Sequence, residues 1–306
     1  MASFELERMQ LARNGQVTSR NYARLGYDRL IRGVYGHIPR SQGVDEWEER
    51  RVEYIARTHA VMALYPQKGA VLYGPTALQV MDVALPNRLQ DWGTCHILVP
   101  EGVARPVRQG VVAHQSRYPL TVWGQAWGLP VLNPVEHWLQ LPRANLDEMV
   151  EIGDGFLRRR LPLLSFDEMA VALSDCASRP RTDRAYEAMK WVRPGTDSMY
   201  ETATRLMLVH AGLPEPEVNL EVYCSSSGMT FHLDMGYDKE KLGVEYDGAV
   251  HVGDRAQMEI DANRRRILQD EGWLIISVTA AQLRTPDQVV RSVESALLRR
   301  RASLSA

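Results

Sequence analysis

The alternation of apolar and polar positions is cleanest between residues 231 and 248. In Phe231-His232-Leu233-Asp234-Met235 every second side chain is apolar, the period of a strand with one buried face. A polar, glycine-initiated turn over residues 236–241 follows. Leu242-Gly243-Val244-Glu245-Tyr246-Asp247-Gly248 then resumes the alternation with Leu242, Val244 and Tyr246 inward, so the two stretches predict a β-hairpin. Helical periodicity dominates elsewhere. Residues 45–65 set Val52, Ile55, His59 and Met62 on one stripe behind an acidic first turn, with His59 read as a core histidine. Asn133-Pro134 caps one helix, and residues 145–160 predict another ending in Arg158-Arg159-Arg160. Ser198-Met199-Tyr200-Glu201 is a capping box that opens a helix through His210. Residues 254–271 predict a helix with Ile260, Ile267 and Leu268 inward, residues 272–279 a buried strand, and Thr285-Pro286 the cap of a closing helix. Short strands fall at 70–73, 96–99 and 111–115. Near the start, Thr18 caps a short helix over 19–25 that Gly26 ends, and residues 30–36 read as a strand pair.

The hairpin carries the chemistry. Glu245 and Asp247 share the face opposite the apolar row, and closure at 236–241 sets Asp234 across the ladder from them, within roughly 4.5–8 Å. Three carboxylates gathered there repel one another unless a divalent cation or a proton neutralises them. His251, four residues past Asp247, is a further proton-handling group. Glu201 has a complete structural explanation as a capping carboxylate, and an acid engaged in capping is not free to bind metal.

Composition narrows the classes. With 306 residues, 45% hydrophobic and 24% charged, the chain has room for two or three cores. A net charge of -2 excludes a generally cationic nucleic-acid binder, so any DNA contact comes from local patches. The clearest patch is residues 8–40, with seven arginines and one acid, Asp28. A second group, Arg179, Arg181, Arg184, Lys190 and Arg193, is read either as solvated charge or as a channel for phosphates. No run approaches the about 18 apolar residues of a membrane span, and the first ten residues lack a signal-peptide core. The expectation is a cytoplasmic protein with no membrane partner. Cys95, Cys176 and Cys224 form no CxxC pair and are read as buried thiols.

The order Asp234, Glu245-Tyr246-Asp247-Gly248, His251, then Asp261, Arg264 and Arg265 before the strand at 272–279, resembles the PD-(D/E)XK nuclease superfamily, in particular the branch similar to very-short-patch-repair (Vsr) endonucleases. The resemblance implies a C-terminal restriction-endonuclease-like α/β/α domain that hydrolyses DNA phosphodiesters with Mg²⁺ or Mn²⁺. It implies Asp234 and Glu245 as metal ligands, with Glu201 as a third acid on a preceding helix. Asp247 is a further ligand or a base, His251 a second candidate for the proton, and Arg264 or Arg265 a charge that offsets the phosphorane and contacts DNA. The superfamily's motif has Lys where this chain has Asp247, which supplies no positive charge.

The helix-then-wing order at the N-terminus resembles the winged helix of AbiEi-type antitoxins, whose members bind DNA, and implies Arg20, Arg24, Arg29 and Arg32 as DNA contacts. That family has a second helix before the wing, whereas here Gly26 runs into Tyr27-Asp28-Arg29-Leu30. The middle region also looks like AbiEi-type proteins that carry a Vsr-like C-terminus. The expected fold class is mixed α/β, with Arg193-Pro194-Gly195-Thr196 as the main boundary. The parts are a winged-helix-like region at 1–44, an α+β scaffold at 45–193 and a Vsr-like nuclease domain at 194–306. The function expected is metal-dependent DNA endonuclease, in repair or mobile-element defence. The alternative is a DNA-binding regulator or antitoxin with a catalytically silent nuclease fold. A homodimer stays open, because a double-strand cut usually needs two active sites.

Overall fold

A three-stranded and a four-stranded sheet each gather their own helices, and the chain divides accordingly. The computed structural model describes residues 19–38, 46–65, 68–141, 143–248 and 255–304. One unit comprises Met1–Arg143 with Asp175–Pro180, the other Ala144–Ser174 with Arg181–Ala306.

In the first unit the helix expected over 19–25 is only a 3-10 turn, Ala23–Leu25. Tyr22 supplies no side-chain cap, and Gly26 turns left-handed (φ 77°) after three residues, so the helix cannot propagate. Thr18 lies outside the described residues. A hairpin of β1 (Asp28–Ile31) and β2 (Val34–Gly36) follows, and it sets Leu30 and Val34 against Ala56 and Ala60 of α1 (Glu46–Met62). Strands β3 (Val71–Leu72), β4 (Cys95–Val99) and β5 (Val111–Gln115) form the sheet, antiparallel between β3 and β4 and parallel between β4 and β5. Around it lie α2 (Gly74–Val80), the hairpin of β6 (Gly124–Ala126) and β7 (Leu129–Val131), and α3 (Pro134–Leu139). Asn133 caps α3 as expected, its side chain accepting from the Val135 amide at 3.0 Å.

The second unit begins with α4 (Leu146–Phe156), α5 (Phe166–Asp175), α6 (Thr182–Met189) and α7 (Met199–His210). Then come β8 (Glu217–Cys224), β9 (Met229–Tyr237), β10 (Leu242–Asp247), α8 (Arg255–Asp270), β11 (Leu274–Thr279), α9 (Ala280–Leu283) and α10 (Asp287–Leu304). The sheet runs β11-β10-β9-β8, with β10 and β11 parallel and joined through α8. Helices cover both faces. On one, Leu208 of α7 and Val289, Val293, Ala296 and Leu297 of α10 pack on Met235, Leu242, Val244 and Val278. On the other, Ile267 and Leu268 of α8 and Trp273 pack on Leu220, Val222, Cys224 and Leu233. The layering is α/β/α, and the fold class is mixed α/β as the sequence implies.

Three expectations change. Helix α4 ends at Phe156 rather than at residue 160, and beyond it Arg159 pairs with Asp197 instead of meeting a helix terminus. The boundary expected at 193–196 falls inside the second unit. Its cause is a buried network: Asp154 of α4 accepts from Arg205 (2.9 Å) and Thr202 (2.8 Å) of α7 and from the Arg193 amide (2.7 Å), which ties 144–193 to α7. Ile260, expected inward, is 60% exposed, because α8 meets the sheet only through its later turns at Ile267 and Leu268. Of the basic group, Arg179 pairs with Glu136, Lys190 with Glu187 and Arg193 with Glu215. Among the described residues no helix is long and apolar enough to cross a membrane.

Candidate active site

Strand β9 is not regular. Leu233 packs into the core on the α8 side, while Met235, two residues on, packs into the core beneath α7 and α10. Residues i and i+2 of an even strand share a face, so β9 changes face at Asp234. Opposite it, between the pairs Val218–Met235 and Leu220–Leu233, Asn219 of β8 takes a left-handed φ of 51°. The β9–β10 ladder stops at Met235–Val244, and beyond it the Asp234 carboxylate accepts the Tyr246 amide at 2.8 Å. A side chain thus replaces the carbonyl an even ladder would present, the kind of irregularity that re-aims a residue. The even hairpin expected from the sequence, with Asp234 simply across from Glu245 and Asp247, is corrected accordingly.

Acids converge on this point from both layers. At the start of α7, Ser198 accepts the Glu201 amide (3.2 Å), and the Glu201 carboxylate accepts the Asp197 amide (2.9 Å), one residue before the box expected. Burial, with repulsion from Asp234, pushes Glu201 up to about 7. Burial pushes Asp234 up to about 6, reinforced by Glu245 and Asp197 and opposed by the Tyr246 amide and Arg264. Glu245 faces α8, where Arg264 holds both its oxygens, Nη1 to Oε2 at 3.1 Å and Nη2 to Oε1, while Nη2 also donates to the His232 carbonyl at 2.8 Å. Beside this pair a cleft of about 450 Å³ is lined by Glu245, Asp247, Asp261, Arg264 and Arg265. The rings of Tyr200 and Tyr246 stack with centroids 4.8 Å apart and planes at 11°.

Of the residues singled out in the sequence, Asp234 acts on Glu201 on one side and is acted on by Glu245 on the other, but the three do not form one cluster. Asp247 is exposed at the end of β10 on the cleft wall, Arg265 is exposed on the same wall, and Arg264 is committed to Glu245. His251 lies outside the described residues. Arg20, Arg24, Arg29 and Arg32 are exposed and belong to the first unit. Among the described residues no three His, Cys, Asp or Glu groups meet closely enough to hold a metal ion. The chemistry of the donors nonetheless fits a hard dication: all are carboxylate oxygens, and Asp234 and Glu201 carry the mutual repulsion that such an ion offsets. Two of the acids are engaged elsewhere: Arg264 holds both Glu245 oxygens, and Glu201 accepts the Asp197 amide. Asp197 and the tyrosine pair were not foreseen. Asp197 has no signal beyond preceding the capping box, and the tyrosines meet only through packing of α7 on β10.

No family model matches the chain. Two curated proteins of Mycobacterium tuberculosis, the uncharacterized proteins MT2308 (strain CDC 1551 / Oshkosh) and Rv2248 (strain ATCC 25618 / H37Rv), are each 25% identical to it over 117 residues. The match takes in 38% of this chain and 43% of theirs, less than half of the relatives' length. The crystal structure of the RV2827C protein from Mycobacterium tuberculosis superposes over 69% of this chain and 77% of that one, at 16% identity. Its TM-score of 0.36 is too low to carry an argument.

Proposed function

We propose that this chain is a cytoplasmic, metal-dependent DNA endonuclease of the Vsr-like kind, with an AbiEi-like N-terminal region whose Arg20, Arg24, Arg29 and Arg32 contact DNA. One observation carries the reading. Asp234 sits where β9 breaks its own ladder, between Glu201 and Glu245, and both it and Glu201 are pushed well above the ordinary carboxylate range. Burial raises both acids first and a neighbouring carboxylate adds to each shift, a combination that a bound cation would relieve. Asp234 and Glu245, with Asp247 at the rim, are the residues that would hold Mg²⁺ or Mn²⁺, Glu245 only once its carboxylate has left Arg264. Such an ion polarises a phosphodiester and lowers the pKa of bound water. Arg264 brings a guanidinium to the carboxylates where the motif's lysine is missing, and Arg265 on the cleft wall meets a phosphate.

The test is supercoiled plasmid incubated with the purified protein and Mg²⁺ or Mn²⁺, beside Asp234→Ala and Glu245→Ala. Nicking by the wild type that disappears in both variants supports the enzyme. Equal background in all three samples overturns it. The bidentate Arg264–Glu245 pair favours a second reading, a DNA-binding regulator or antitoxin on a silent nuclease fold, because it occupies the oxygens a metal would need. That reading expects band shifts on DNA with no nicking.

A further inference from the structure

Tyr200 and Tyr246 stack in parallel beside Glu201 and Glu245, and no hairpin or capping rule requires them to do so. Tyr200 stands next to Glu201 in the first turn of α7 and is 41% exposed. Tyr246 stands between Glu245 and Asp247, and its amide is the one Asp234 holds. The core beneath α7 is closed by Leu208, Met235, Leu242 and Val244 without either ring. The pair therefore sets an aromatic surface within one residue of Glu201, Glu245 and Asp247.

We propose that this tyrosine pair receives an unpaired base, so that the substrate of the cleft is single-stranded or locally unpaired nucleic acid. The proposal rests on the nucleic-acid part of the reading above and assigns its substrate class. Three observations support it. Bases within a duplex have both faces covered by their neighbours, and only a splayed or single-stranded base offers a face for a protein ring to stack on. Tyr246, though not Tyr200, also lines the cleft of about 450 Å³ beside Glu245 and Arg264, a volume in the range of small-ligand sites. On the cleft wall Arg264 is held by Glu245, which leaves Arg265 to contact a single phosphate rather than a run of them. A flexible single strand can lay its base on the rings and turn its backbone past Arg265. A rigid duplex cannot bring a base to the rings without unpairing it.

Fluorescence anisotropy of one labelled oligonucleotide, single-stranded and annealed to its complement, tests this on the full chain in EDTA, where cleavage cannot intrude. The wild type is expected to bind the single strand more tightly. Tyr200→Leu and Tyr246→Leu should each lower single-strand affinity roughly five- to a hundredfold, the range for one stacked base, and leave duplex affinity unchanged. Tyr200→Phe, which keeps the ring, should retain binding, and Tyr200→Trp should show indole quenching on adding the single strand. Equal affinity of the wild type for both forms, or leucine variants that bind the single strand as well as the wild type, overturns the proposal. Because the readout is binding, it stands apart from hydrolysis: loss of nicking alone leaves it in force, and failure to bind either form overturns both.

Discussion

Replacing Glu201 by glutamine should make the protein more stable at neutral and alkaline pH, although Glu201 caps a helix. The glutamine oxygen can still accept the Asp197 amide, so the capping hydrogen bond at 2.9 Å survives, while the charge facing Asp234 is removed. The carboxyl is pushed from its ordinary 4.5 up to about 7 by burial and by Asp234. Between those two values the folded chain keeps a proton that the unfolded chain has lost, so stability falls as pH rises through the window and the loss is complete above about pH 7. At about 1.4 kcal/mol per tenfold change in proton affinity the rise corresponds to roughly 3 kcal/mol, and screening at this half-buried position reduces it to about 1–2 kcal/mol. Thermal unfolding in EDTA at pH 8 should then show Glu201→Gln raised by about 3–6 °C, and the difference should shrink to near zero at pH 4.5. Millimolar Mg²⁺ should stabilise the wild type more than the variant. A variant less stable at pH 8, or a difference that ignores pH, would refute the argument that crowded acids strain this site.

Two further substitutions test the frame that holds the site. Arg205→Met strands Asp154, fully buried like its partner, without its guanidinium, and should cost about 3–5 kcal/mol in urea denaturation, with part recovered on adding Asp154→Asn. A single variant within 1 kcal/mol of wild type would show the network to be dispensable. Gly236→Ala would put a Cβ 2.8 Å from Leu220 and 2.9 Å from the Leu242 carbonyl, whose backbone cannot yield, so a loss of about 1–3 kcal/mol by the same assay is expected.

Local chemistry made much of this architecture legible. Asn133 and Ser198 cap the helices that their side chains predict, and the Leu242–Val244 alternation faces one core as written. Helix α1, expected over 45–65, runs Glu46–Met62. What the sequence concealed depends on residues distant along the chain. Nothing near Asp154 announces that Arg205 will neutralise it, so the division at Arg143 was invisible and the Arg193-Pro194-Gly195 break looked decisive. Ile260 fits the helical stripe, but the stripe outruns the sheet it packs on. At the site, alternation predicts an even strand through Asp234. The face change there comes from the left-handed Asn219 opposite and the Tyr246 amide, features that periodicity does not record. The acids could be nominated one by one, but not the way Arg264 divides them.

The Asp154–Arg205 bond spans 51 positions, so it can form only after α7 has been synthesised. As the chain leaves the ribosome, Arg179 can join Glu136 and complete the first unit while Asp154 still awaits its counter-charge. Until α7 emerges, the helices over 144–174 lack both the counter-charge of Asp154 and the helix that packs on α4.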